Sequence, residues 1–189
     1  MNLDTLLPDV LPYVLPCPTS ITLDALRRAA LDFCKTSEAW REHIDATVIT
    51  GMREIVLTPS HGGKVMRVMA LHIDCIHVPH DEFSFADQTI TLHSRPGRNA
   101  MASALVSLGP TRTGCSMPSS LLDEWGETIA SGAISRLKGM SGKEIEWSDP
   151  QGASYHQQLF DEGTARARIQ VLRGDRGGGG FFIRDGGFL

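Results

Sequence analysis

The densest run of side chains able to hold a metal or move a proton is HIDCIHVPHDE, residues 72–82. Imidazole, thiolate and carboxylate are the ligand types that zinc and related metals take. His72, Asp74, His77 and His80 therefore define the candidate centre of a small metal-dependent β-domain enzyme. On a straight strand His72 and Asp74 share one face, and Cys75 and His77 the other. Convergence then needs a bend, which Pro79 offers between His77 and His80. The plain alternative is a strand edge and turn carrying polar residues. No other segment offers as much: there is no G-x-S-x-G nucleophile elbow, and Cys115 in TGCSMP is close to no helix start but that at Ser119–Ser120. GDRGGGG (174–180) lacks the Lys-Ser/Thr of a phosphate loop. The Arg-Gly-Asp at 173–175 is a coincidence in a Gly/Arg-rich stretch. No catalytic constellation and no cofactor are expected.

The elements that would position these residues belong to a chain of 189 residues, 41% hydrophobic and 21% charged. Bulk disorder and a membrane span fit this composition poorly. Aromatic residues are only 6%, few for a single-strand nucleic-acid platform. The net charge of −4 has the wrong sign for DNA wrapping. Cys17, Cys34, Cys75 and Cys115 are scattered, with no C-x-x-C pair, and read as reduced, small core residues. The first basic residue is Arg27 and four prolines break the early apolar residues, a pattern unlike a signal peptide.

The fold class reads as α+β: a bundle of about three helices with an inserted β-rich domain, a small sandwich or barrel, and an extended C-terminal arm. Residues 1–21 form a Pro-rich extended lead-in, since each proline removes a donor and biases its predecessor away from helix. A first helix, capped by Thr22, covers 22–45, with Leu23, Leu26, Ala30, Phe33, Trp40 and Ile44 on its apolar face. Residues 46–113 alternate and are rich in β-branched side chains, giving four to six strands. Within them Thr47–Leu57 and Lys64–Ile73 flank TPSHGG as a hairpin. The helical domain resumes over 114–172. Its second helix opens at Pro118-Ser119-Ser120, with Ser120 and Asp123 as a capping box. Leu122, Trp125, Ile129, Ala133 and Leu137 form its stripe, and Gly139 its stop. Asp149-Pro150 starts a third helix to about 172, carrying Leu159, Phe160 and Ala167.

Residues 173–189, RGDRGGGGFFIRDGGFL, contain seven glycines but end in Phe181, Phe182, Ile183, Phe188 and Leu189. A solvated linker would carry Ser, Glu or Lys there instead. From Gly163 onward the charge is +3, so the first 162 residues carry −7. A basic arm with apolar anchors is the pattern of a docking peptide.

An opening of prolines, ALRRAALDFCKTSEAW (25–40), a β-rich insertion ending in LVSLGPTRT (105–113), MPSSLLDEW (117–125), IASGAISRLKGM (129–140) and WSDP (147–150) stand in this order. Tyr155, Phe160, Gly163 and ARAR (165–168) follow. This succession resembles the head-to-tail adaptor proteins of tailed bacteriophages over nearly the whole chain. The chain departs from that pattern at GKEIEWSDP (142–150), where a shorter step is expected. The resemblance implies a structural virion protein at the head–tail interface, assembled in the bacterial host cytoplasm, and neither an enzyme nor a membrane protein. It implies a ring of about twelve copies that docks under the portal protein, extends the channel through which genomic DNA passes, and presents a platform to a tail or nozzle protein. In that reading the arm engages the portal, with Phe181, Phe182, Ile183, Phe188 and Leu189 as apolar anchors and Arg173, Arg176 and Arg184 facing acidic partners. Leu26, Phe33, Trp40, Leu122, Trp125, Ile129, Leu137 and Phe160 hold the helical core.

Overall fold

The computed structural model describes residues 2–60, 62–112, 114, 116–142 and 145–175. Its first feature is a correction. The Pro-rich opening is helical: a 3-10 turn at Leu3–Leu6 runs into α1, Leu7–Val14. Pro8 stands in the first turn, where a missing N–H breaks no helical bond. Pro12 lies inside the helix. Leu3, Leu6, Val10 and Val14, spaced by three and four, are all buried, and that stripe outweighs the cost of one interior proline, about 3 kcal/mol.

Helix α2 spans Thr19–Ser37 and buries Thr22, Ala25, Leu26, Ala29, Ala30, Phe33 and Cys34 on one side. Thr22 is therefore interior to the helix and not its cap; the flanking residue is Pro18. The helix ends before the expected boundary at 45. Glu38 takes a left-handed conformation (φ 53°) and returns its N–H to the Cys34 carbonyl at 3.0 Å. Trp40 and Ile44 thus leave the helix. Trp40 is buried beside its end, and Ile44 faces the core from strand β1. A β-carbon on Gly63 would lie 2.8 Å from the Trp40 ring, so the close approach requires glycine there.

Between α2 and the next helix lie β1 Arg41–Val48, β2 Glu54–Val56, β3 Lys64–Ile73, β4 Ile76–Val78, β5 Phe83–Ala86, β6 Thr89–Leu92 and β7 Ala100–Gly109. They form two antiparallel sheets, in the orders β1-β7-β3-β4 and β2-β6-β5, and neither is a closed barrel. The expected hairpin across residues 58–63 does not form, because β2 and β3 belong to different sheets. Ser60, in the connection, donates its amide and hydroxyl to Glu42 Oε1 on β1 (2.9 and 2.6 Å). In β3 the buried residues Val65, Val68 and Leu71 recur every third position, which a regular strand cannot keep on one face. Two irregularities in its register with β7 restore them to the core side. The turns at Asp74–Cys75 and Asp87–Gln88 have positive φ at both residues, as tight two-residue hairpins require.

Helix α3 covers Ser119–Lys138 and α4 covers Pro150–Asp175. Both starts and the Gly139 stop match the sequence reading, but the Ser120–Asp123 capping box does not form, since no side chain caps α3. At α4 the expected cap is real: Asp149 Oδ1 accepts the Gly152 N–H at 2.9 Å and Oδ2 accepts from Lys138 Nζ at 3.0 Å. Those bonds, the backbone one first, hold the Asp149 carboxyl below its ordinary value. Gly132 on α3 is a contact point of three helices, because a β-carbon there would meet Phe160 of α4 at 2.6 Å and Ala29 of α2 at 3.1 Å. Leu26, Phe33, Leu122, Ile129, Leu137 and Phe160 are buried in this core, and half-buried Trp125 sets its ring 5.9 Å from that of Phe33. Cys17 and Cys34 are buried free thiols; burial pushes Cys34 up to about 12. Cys75, by contrast, is exposed on its turn, and Cys115 lies outside the described residues.

Candidate functional site

The His-rich run folds as a hairpin, not as a straight strand. Reversal at Asp74–Cys75 makes His72 and His77 cross-strand partners, with ring centroids 5.3 Å apart. The remaining candidates are occupied elsewhere. Asp74 accepts from Arg98 (2.9 Å) and from the Met101 amide (3.1 Å), and the His80 ring stands edge-on to Phe83 at 5.4 Å. Among the described residues no group of three or more His, Cys, Asp and Glu is disposed to hold a metal ion. The register adds two residues that sequence reasoning missed: Asp45, Ser103, His72 and His77 form one row across the sheet. Ser103 stands between the acid and the imidazole. A nucleophile relay needs the imidazole between serine and acid, so this order does not supply one.

A second cluster joins the bundle to the β domain. Glu38, only 7% exposed, receives Arg67 of β3 at 3.1 Å and Arg168 of α4 on its other oxygen, with Arg41 of β1 at 3.9 Å. Burial alone would raise this carboxyl. The hydrogen bonds and charges of Arg168 and then Arg67 outweigh it and hold Glu38 below the usual glutamate value. One carboxylate thus ties α4 to two strands of the four-stranded sheet. The left-handed turn that ends α2 is what directs Glu38 inward.

The third feature is a groove between α1, α3 and α4. Helix α4 buries His156, Phe160, Thr164 and Ala167 along one stripe. His156 lies at the groove, its ring met edge-on by Tyr13 at 5.4 Å and by Tyr155 at 5.3 Å. Its Nδ1 is buried with no hydrogen-bond partner. Burial, then the charge of Lys138, lowers its pKa against the opposing pull of Asp149, so the ring is neutral at pH 7. This residue was legible as a polar intrusion, four positions before Phe160 in a stripe otherwise apolar or small.

Of the predicted docking residues, Arg173 is exposed in the last turn of α4. The helix continues to Asp175, past the boundary expected at 173. Arg176, Phe181, Phe182, Ile183, Arg184, Phe188 and Leu189 lie outside the described residues. Among the described residues no helix is long and apolar enough to cross a membrane. No protein-family model matches the chain, and no curated protein matches it.

Proposed function

We propose that the chain is a head-to-tail adaptor subunit of a tailed bacteriophage, a structural virion protein with no enzymatic role. It docks as a ring of about twelve copies beneath the portal protein, extends the DNA channel, and offers the next tail or nozzle protein a platform. In this reading the two sheets are the small sandwich inserted into the helical bundle. The observation that carries the proposal is the exit of the bundle. A 26-residue helix, tied to the β domain through Arg168 and Glu38, leads into a segment that combines basic charge, glycine and phenylalanine.

The physics fits that role. Ordering a glycine-rich peptide costs entropy, so one arm binds modestly. Many arms engaging one ring convert modest binding into a stable joint through effective concentration. The first 162 residues carry a charge of −7, and an acidic lumen repels phosphate, which lets DNA pass without sticking.

The test is the native mass of the protein alone and mixed with the portal ring of the same phage. A ring-sized complex formed with the portal, and lost on deletion of residues 176–189 while far-UV circular dichroism stays helical, is the expected result. A protein that ignores the portal, or a truncated one that still joins it, overturns the reading.

A further inference from the structure

The β3–β4 hairpin brings two imidazoles together at the edge of the four-stranded sheet. Its two-residue turn, Asp74–Cys75, closes on the pair Ile73 and Ile76. Opposed residues of an antiparallel ladder alternate between hydrogen-bonded and non-hydrogen-bonded pairs, and a two-residue turn closes on the former. His72 and His77 are the next pair along, the kind whose side chains stand closest. They share the open face of the sheet, since their neighbours Leu71 and Val78 are the ones buried in the core. His77 is exposed and His72 half-buried. Among the described residues each of these rings touches the other and takes no hydrogen bond.

The ring centroids are 5.3 Å apart, with their planes tilted by 54°. That spacing suits an ion held between them. In a tetrahedral site a zinc–nitrogen bond of about 2.0 Å, extended to the ring centre, puts each centroid about 3.2 Å from the metal and the two about 5.2 Å from each other. Imidazole is a ligand type that suits zinc, copper and nickel alike. Local charge does not oppose a cation: in the groove beside His77, Asp74 and Glu82 balance Arg95 and Arg98, and Arg98 is bonded to Asp74 at 2.9 Å. No third ligand among the described residues joins the pair. Asp45 shares their row but lies two strands from His72, about 10 Å away. Ser103, opposite His72 on β7, is placed to accept the N–H that a metal-bound imidazole keeps on its other nitrogen.

We propose that His72 and His77 chelate one divalent transition-metal ion of the zinc class, leaving its other coordination positions open. The ion staples the short edge strand β4 to β3. His72 also lines a groove of about 500 Å³ over the same sheet face, beside Asp45, Met101 and Ser103, so a further ligand has room to approach. Water fills the open positions until a carboxylate or imidazole from outside replaces it. The site is independent of the adaptor reading, since it concerns the isolated chain.

The test is calorimetric titration of the untagged full chain with zinc chloride, and with magnesium chloride as the control. One zinc per chain is expected, with no magnesium binding, because magnesium prefers oxygen ligands. His72→Ala and His77→Ala should each weaken zinc binding at least about tenfold, since even loss of a residue that only orients a ligand costs that much. His80→Ala and Cys75→Ser should bind like the parent. Histidine-ring NMR of the unaltered chain guards against a variant that fails to fold: the His72 and His77 resonances should be the ones that move with zinc. Absence of zinc binding, binding that survives both alanine variants, or loss in Cys75→Ser overturns the proposal. One zinc per two chains means that the ion bridges copies, and overturns it as well.

Discussion

Glu38 and His156 are both titratable side chains placed where several elements meet, and each is less than a tenth exposed. Their surroundings are opposite. Glu38 faces arginines from α4, β3 and β1, so the cost of burying a carboxylate is offset by charge-assisted bonds. His156 meets two tyrosine edges and no partner for Nδ1, with open apolar surface beside it. The first is a closed junction, whose polar group serves to fix the bundle against the sheet. The second is an unfinished one, and an unfinished junction is where a ligand gains by supplying what the fold lacks.

The sharpest way to break the first junction is Glu38→Ala. It leaves the Arg168 and Arg67 charges beside apolar packing and should cost roughly 2–3 kcal/mol, toward the low end for a buried pair because the arginines can turn to water. Urea unfolding measures it. Glu38→Gly removes the same carboxylate but relieves the left-handed backbone, so it should be about 1 kcal/mol less damaging than alanine. Equal losses would show that the φ of 53° carries no strain.

pH separates the two junctions more gently. The folded-state pKa of both groups lies below the ordinary value, so in each case the unfolded chain binds the extra proton first and stability falls with acid. For His156 the loss begins as pH drops through about 6.5, and for Glu38 as it drops through about 4.5. His156→Phe should flatten the decline in Tm between pH 7 and 5.5 and leave the lower limb. Glu38→Gln should lower stability at pH 7 and flatten the limb below pH 4.5. If His156→Phe leaves the upper limb unchanged, the ring is not held neutral by its burial.

The smallest effect belongs to a surface pair that resembles the Glu38 contacts in chemistry alone. Arg136 and Asp32 join α3 to α2, with side chains 39% and 45% exposed. Asp32→Asn should change stability by no more than about 0.5 kcal/mol in urea unfolding. A loss as large as that of Glu38→Ala would erase the distinction between a buried and an exposed ion pair.

Legibility followed the range of the interactions. Helices α3 and α4 were readable because spacing, Asp149-Pro150 and Gly139 all act within a few residues. The start of the chain was misread for the converse reason: the local penalty of Pro8 and Pro12 was visible, while the reward, burial of Leu3, Leu6, Val10 and Val14, comes from packing across the bundle. Trp40 and Ile44 were credited to α2 because their spacing nearly continues its stripe. Nothing local announces that Glu38 turns left-handed, since a non-glycine residue does so only when its surroundings compensate.

What residue order determined by itself was the α+β class, the insertion of strands between helices, the boundaries of α3 and the start of α4, and the contrast between an acidic body and a basic, phenylalanine-bearing end. Tertiary structure alone decided strand partnership, which pairs β1 with β7 and sets Asp45 and Ser103 beside His72. It also decided the fate of Glu38 and His156. The physical reason is that helical spacing and capping are written within one or two turns of chain. Sheet register and the satisfaction of a buried polar group depend instead on residues tens of positions away, which meet only after both faces have chosen what to bury.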